Sequence, residues 1–494
     1  MKISTSFKSF KKKHLNKINQ VIYFTEKFKS KFIIDNLIDN FLIHKNSFVF
    51  ESVEKGKIRG RFTIFGKNPD KIWELNNNQV FKIINNKKKK IKKKPYNFLN
   101  KLIEEFKFNT PKQLPPICSL LSGFFSYDII RYIEKVPNNC SDDLKLPDVR
   151  ILRPCSLIIH DNLKKKIYFI VNCFADKKIN NYSKKFEIIK SELNNLKKIT
   201  VFKKKKINKK IGKNNNIVIK SNLSKKYFKD IVLKAKKHIE IGDIFQVVLS
   251  QRFKTNLSKS PLEIYKKLRI TNPSPFMYFF NFTDFQIIGA SPEILVRLRN
   301  NKVTIRPIAG TRPRGKNKRL DAYYEKDLLK DKKELAEHLM LLDLGRNDVG
   351  KVTKTNSVKV TENFKIEKYS HVMHIVSNVE GTFNKKNSRL NTLLAGFPAG
   401  TVSGAPKIKS MQIIDKLEKT KRKIYAGAIG YFSANGDFDT CIALRTALAK
   451  KKKFYVQAGA GIVADSKPEN EYRETVNKAK ALINALRWKW KFYL

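Results

Sequence analysis

Two pairs of glutamates sit three residues apart in segments that read as helices: Glu334 and Glu337 in KELAEHLMLLDLGRND, and Glu471 and Glu474 in PENEYRETVNKAKAL. An i,i+3 spacing puts both carboxylates of a pair on one helical face. Two such faces turned toward each other would line a site for Mg²⁺, a hard cation that takes carboxylate oxygens and keeps several waters. Taken singly, either pair reads first as ion pairing on an exposed helix. Other residues add to the set. Arg445 interrupts the predicted apolar strand CIALRTAL, where a guanidinium needs a carboxylate from protein or ligand. His374 lies in the strand-like VMHIVS, and Glu293 follows the Ser-Pro turn of GASPEIL, where it could be a positioned general acid.

Two glycine-containing segments could bring backbone close to a ligand. Gly400-Thr401-Val402-Ser403-Gly404-Ala405-Pro406-Lys407 reads as a loop feeding a helix, with Pro406 in the first helical turn. Free N–H groups there would favour a carboxylate or phosphate, although the spacing is not that of a Walker loop. Gly459-Ala460-Gly461 ends a predicted strand ahead of the Glu471/Glu474 helix, which Pro468 opens. Either segment could equally be a structural turn or a tight packing point.

The elements that must position these residues change character along the chain. In residues 1–200, an N-terminal structural and regulatory region, FLIHKNSFVFESVE, GRFTIFG and KIYFIVNCFA have the β-branched and aromatic content of strands. LSGFFSYDIIRYI (121–133) predicts a small-residue turn entering a helix. Residues 201–222 are Lys- and Asn-rich and predict a linker. The region 223–494 opens with a helix over about 223–241. It continues through the strands FQVVLSQRF, MYFFNF, FQIIGA, EILVRLR and KVTIRPIAG, and includes a hairpin turning at Asn435-Gly436. Hairpin-joined strands with helices set apart indicate an α+β fold: large, mainly antiparallel β-sheets packed as a sandwich with flanking helices.

With 494 residues, 41% of them hydrophobic, the chain can bury sizeable cores in two domains or one intertwined unit. Its net charge of +60 would ordinarily suggest nucleic acid or an anionic surface. Here the excess is spread in Lys runs at 87–94, 203–210 and 450–453, among abundant Asn, Ile and Phe, with no nucleic-acid-binding signature. It reads as drift toward AT-rich codons, so neither a nucleic-acid nor a membrane partner is expected. The cysteines Cys118, Cys140, Cys155, Cys173 and Cys441 have no metal-ligand spacing and fit a reducing compartment. No apolar run reaches the ~20 residues needed to span a bilayer, and a cytoplasmic location is expected.

Ten stretches in series, from GDIFQVVLSQRF through NPSPFMYFF, GASPEILVRL, PIAGTRPRG, ELAEHLMLLDLGRND, VMHIVS, AGTVSGAPK, YAGAIGYF and DTCIALRTAL to QAGAGIVADSKPENEYRET, carry a resemblance. Together they resemble the chorismate-utilising enzymes, in particular the synthase (large) subunit of anthranilate synthase, over about residues 22–485. The resemblance implies conversion of chorismate and ammonia, with Mg²⁺, to anthranilate and pyruvate, the first step of tryptophan synthesis from chorismate. It implies Glu337 and Glu474 as Mg²⁺ ligands with Glu334 and Glu471 beside them, and Glu293 as the acid for the departing hydroxyl. His374 and Thr401 would stand near the reacting ring; Gly310, Thr311, Tyr425, Arg445, Gly459, Ala460 and Gly461 would hold chorismate. It further implies a separate glutamine amidotransferase subunit (component II) supplying ammonia, and a tryptophan feedback pocket at Ser52, Pro275, Phe276 and Met277.

Two residues narrow the subfamily. Ala309 stands where close aminodeoxychorismate synthases, the nearest alternative, carry a nucleophilic lysine. Gln246 stands where isochorismate and salicylate synthases place a water-activating lysine. The chain also reads VFES for the family's usual LLES, and LGRND for LARND.

Overall fold

The computed structural model describes residues 2–27, 33–52, 60–200, 218–369 and 372–486. Its frame is the expected α+β arrangement: among the described residues, 22 strands join in one hydrogen-bonded network, with helices packed on its faces. The ladders are antiparallel, as hairpin connections require. Strands from the two ends of the chain pair directly. The Ser47–Glu51 strand lies against Phe276–Asn281, with Glu51 opposite Met277. The Leu120–Phe125 strand lies against Ala428–Ser433, with Gly123 opposite Gly430.

Apolar content explains which strands sit innermost. All six residues of Leu120–Phe125 are buried, so both faces of that strand are covered. The first eight residues of Gln246–Asn256 are likewise buried. Three large clusters form the core. One gathers Phe10, Leu37 and Phe41 with Tyr265, Met277 and Leu482. A second runs from Leu121 and Phe125 to Val402 and Tyr425. The third packs Phe48, Phe124, Phe280, Phe282 and Phe285.

Several local expectations are corrected. Phe41 ends a helix, Ile33–Phe41, so FLIH does not open a strand. In 121–133 the small residues sit inside a strand, and the following turn is a 3₁₀ helix, Tyr127–Tyr132. The close approach of Arg150 explains Gly123 there: a Cβ would lie 1.9 Å from its carbonyl oxygen. The 87–94 Lys run contains a strand, Lys87–Ile91, with its lysines exposed. Of the predicted 201–222 linker, 201–217 lies outside the described residues, while Lys220–Ser221 pairs with the Gln246–Asn256 strand. No helix among the described residues is long and apolar enough to cross a membrane.

Gly430 and Gly345 should respond oppositely to alanine. A Cβ at Gly430 would come within 2.1 Å of the Asp439 carbonyl oxygen, whereas at Gly345, inside a helix, the nearest atom is 3.7 Å away. Gly430→Ala is expected to lose about 1–3 kcal/mol through overpacking. Gly345→Ala is expected to gain up to about 1 kcal/mol from helix propensity. Urea unfolding of each variant measures both signs.

Candidate active site

The first glutamate pair is carried by the helix Lys332–Gly350, capped by Asp331, whose carboxylate accepts from the backbone N–H of Lys333 and Glu334. The second lies on Pro468–Asn484, with Pro468 in its first turn as expected. Both helices pack against strands of the site. The Gly310 backbone, at φ +66°, brings its Cα so near the first helix that a Cβ would stand 3.2 Å from Glu334 Oε2. Glu337 Oε1 accepts a 2.9 Å hydrogen bond from Gln246 Nε2. A Cβ on Gly461 would meet that same amide at 2.7 Å. A Cβ on Gly459 would lie 2.6 Å from the Tyr425 hydroxyl. Glycine at 310, 459 and 461 is therefore a matter of room beside carboxylate, amide and phenol.

Among the described residues, no three His, Cys, Asp or Glu side chains form a ready-made metal cage. The donor chemistry nevertheless fits a hard dication. Burial raises the pKa of Glu334, and repulsion from Glu337 adds to it. Burial likewise raises Glu471, with Glu474 adding to it against a lowering Ser466 hydrogen bond. Each pair thus holds repulsion that a cation would relieve. Lys478 Nζ meets Glu474 Oε1 at 2.6 Å and also donates to the Gly459 carbonyl at 3.1 Å, tying this helix to the glycine strand.

The reacting groups come from neighbouring elements. Glu293 is 5% exposed, and its Oε1 accepts from Thr401 Oγ1 at 3.0 Å. Burial pushes its pKa from 4.5 up to about 8, against the hydrogen bonds from Thr401 and the Ile308 backbone and the charge of Arg445. His374 Nδ1 lies 2.9 Å from the Gly310 carbonyl oxygen and 3.1 Å from Thr311 Oγ1. A carbonyl can only accept, so Nδ1 carries the proton and Nε2 keeps its lone pair. Burial holds this imidazole neutral, with a pKa of about 4. Tyr425 is pushed up to about 12 by burial and so stays a donor.

Arg445 corrects the strand expectation. It lies in a bend at φ +46°, between Phe438–Ile442 and Thr446–Lys450, where the chain passes from one part of the sheet to another. It forms no ion pair among the described residues, although its surroundings desolvate it and lower its pKa. Gly400–Ser403 forms a helical turn rather than an open loop, and Gly404–Ala405 pairs with Gln246–Val247. Pro406 is the cap of the next helix rather than a first-turn residue.

The tryptophan set lies on the strand beside the one that leads to Glu293, with Phe276 opposite Ser291. Met277 is fully buried opposite Glu51, and Pro275 and Phe276 precede it. Ser52 Oγ is sealed from solvent without a hydrogen-bond partner among the described residues. Two clefts, of about 640 and 1000 Å³, share no lining residue with the candidate site. Sequence reasoning missed Arg422 and Glu418, a buried pair behind Tyr425. Arg422 stands in the run KTKRK, where nothing in the sequence separates it from surface lysines.

These elements define an α+β enzyme scaffold with acid, neutral imidazole, carboxylate pairs and a guanidinium that has no ion pair among the described residues. The chorismate binding enzyme family model matches residues 45–484, and the chain belongs to that family. Within it, the chain falls with the anthranilate synthase component 1 proteins. It is 44% identical over 490 residues to anthranilate synthase component 1 of Cereibacter sphaeroides, covering 97% of each chain. It is also 44% identical to that of Acetivibrio thermocellus, over 89% of this chain and 90% of the other. The crystal structure of anthranilate synthase component I from Streptococcus pneumoniae superposes with a TM-score of 0.77 at 38% identity, covering 86% of this chain and 93% of that one.

The elevated Glu293 pKa has a stability signature. The unfolded carboxyl releases its proton near 4.5, the folded one near 8, so between these values the folded chain binds more protons. Stability contributed by this group therefore falls as pH rises through that window and is flat above it. Melting temperatures of Glu293→Gln relative to the parent should rise from pH 5 to pH 8 and level off beyond.

Proposed function

We propose that the chain is the ammonia-using synthase subunit of an anthranilate synthase, converting chorismate to anthranilate and pyruvate. The observation that carries this reading is Arg445, desolvated and without an ion pair among the described residues, beside a buried acid. A guanidinium in that state suits a substrate carboxylate, which it can grip through two parallel hydrogen bonds. Tyr425 and the Gly459-Ala460-Gly461 backbone complete that grip on the enolpyruvyl group, and Gly310 and Thr311 line the ring side.

The chemistry follows from the protonation states. Glu293, neutral near pH 7, gives its proton to the C4 hydroxyl, which leaves as water while ammonia forms the new C–N bond. Thr401 orients that carboxyl through its hydrogen bond. His374 Nε2, with its lone pair free, accepts the ring proton as the C–O bond to the enolpyruvyl group breaks; the electron pair leaves with the oxygen as enolpyruvate, which takes a proton on its methylene carbon to become pyruvate. Glu337 and Glu474, with Glu334 and Glu471, would hold Mg²⁺. Bound there, the ion would stabilise charge on the ring carboxylate. Ala309 offers no nucleophile toward the ring, which favours direct attack by ammonia over a covalent lysine route. Gln246 is no base, so activated water is disfavoured as the nucleophile.

Ammonia in the cell would come from a glutamine amidotransferase partner, component II. Tryptophan would inhibit by filling the space at Ser52, Pro275, Phe276 and Met277.

The decisive assay supplies the purified chain with chorismate, Mg²⁺ and ammonium at mildly alkaline pH and identifies the product by fluorescence and mass. Anthranilate with pyruvate, abolished by chelator, is expected; aminodeoxychorismate without pyruvate would overturn the reading. Glu337→Gln or Glu474→Gln should cut turnover by about 10²-fold or more, and Arg445→Ala should mainly raise the chorismate KM. Ser52→Ala should leave turnover intact and relieve inhibition by tryptophan; unchanged sensitivity would remove Ser52 from the pocket.

A further inference from the structure

Behind the substrate-facing groups lies a fully internal ion pair that none of the roles above uses. Arg422 is 2% exposed and Glu418 6%. The guanidinium donates to both oxygens of Glu418, Nε to Oε2 at 3.0 Å and Nη2 to Oε1 at 2.6 Å. Nη1 donates to the Val402 carbonyl at 2.8 Å, and Nη2 to the Val248 carbonyl at 2.6 Å. Its carbon centre sits 5.5 Å from the ring of Tyr425 and 4.9 Å from that of Tyr127. Glu418 in turn accepts from the Ser250 backbone and hydroxyl, each at 2.8 Å.

A pair buried this deeply is weak evidence for stability, because desolvating both charges offsets most of their attraction. What the arrangement achieves is placement. Val402 is the residue after Thr401, whose hydroxyl holds Glu293. Val248 is two residues after Gln246, which holds Glu337. Tyr425 lies under the Gly459 backbone. One planar, pre-organised donor thus fixes three segments that each carry a substrate-facing group. Lysine could not reproduce this, having one ammonium in place of a fork and a flat face.

We propose that Arg422, braced by Glu418, is a positioning residue for the reaction: it sets the Thr401 hydroxyl against Glu293 and the Tyr425 ring against the glycine strand. The proposal rests on the reading of Glu293 as the acid only for its effect on turnover, not for its effect on geometry. The Thr401 hydrogen bond favours the ionised carboxylate, so loosening Val402 should raise the pKa of Glu293. The other groups acting on that carboxyl, the Ile308 amide and the Arg445 charge, are untouched by the change.

The test compares Arg422→Lys with the parent in two ways. First, the pH midpoint of the melting-temperature difference produced by Glu293→Gln is measured in both backgrounds. It should move up by about one unit in R422K, and T401V should cause the same move with no further shift when R422K is added. Second, kcat should fall about 10- to 100-fold and the chorismate KM should rise. An unmoved midpoint, or shifts from R422K and T401V that add, would overturn the proposal. A moved midpoint with an unchanged pH–rate profile would leave the placement standing and sink Glu293 as the acid. Should R422K not fold, Glu418→Gln, which keeps the side-chain shape, should give the same direction with smaller size; no shift there would overturn the proposal as well.

Discussion

Desolvation without neutralisation is the constraint on which the site rests. Glu293 and Arg445 act on each other electrostatically, yet they are not joined as an ion pair. Had the fold let them meet, the acid would be ionised and the guanidinium satisfied, and neither could serve a substrate. Keeping them apart needs rigid elements on both sides. Pro292 and Glu293 join the strand Phe285–Ser291 to Ile294–Arg299, and the bend at Arg445 is held at positive φ between two strands. The stability forgone at these two residues is made up by the large apolar clusters elsewhere.

The same logic organises the other groups. The helix Lys332–Gly350 is braced from several directions. Lys407 Nζ reaches Asp348 at 2.7 Å, and His338 Nε2 meets Ser377 Oγ at the same distance. His338 neighbours Glu337, while Ser377 shares its strand with His374. One contact therefore sets the carboxylate helix and the imidazole strand in register. Secondary contacts of this kind, rather than the first-named side chains, fix distances within a site.

Much of this was legible in the sequence, and the failures have physical causes. The helices bearing Glu334/Glu337 and Glu471/Glu474 were marked by spacing and by Pro468, signals that depend only on neighbours in the chain. Arg445 reads as a strand residue because an apolar run does not show where a chain changes neighbours in a sheet. Gly123 was misread as turn-forming because its reason is the Arg150 carbonyl on the adjacent strand. Arg422 and Lys423 were invisible for a different cause. In a chain with 103 Lys and Arg, a buried cation has no compositional mark, although Lys423 is fully buried between Asp142 and Asp148. Pairings that span the chain are the part of the fold that local pattern cannot carry.

The distant pairing of Leu120–Phe125 with Ala428–Ser433 has a consequence for how the chain is made. Its first strand leaves the ribosome about 300 residues before its partner. At about 5–20 residues per second, the interval is roughly 15 to 60 seconds. Throughout that time a strand with one polar side chain, Ser122, keeps one edge open, the condition that invites pairing with another nascent chain. Synthesis of this protein therefore includes a window of vulnerability whose length is set by topology and translation speed, and which no increase in the final stability can shorten.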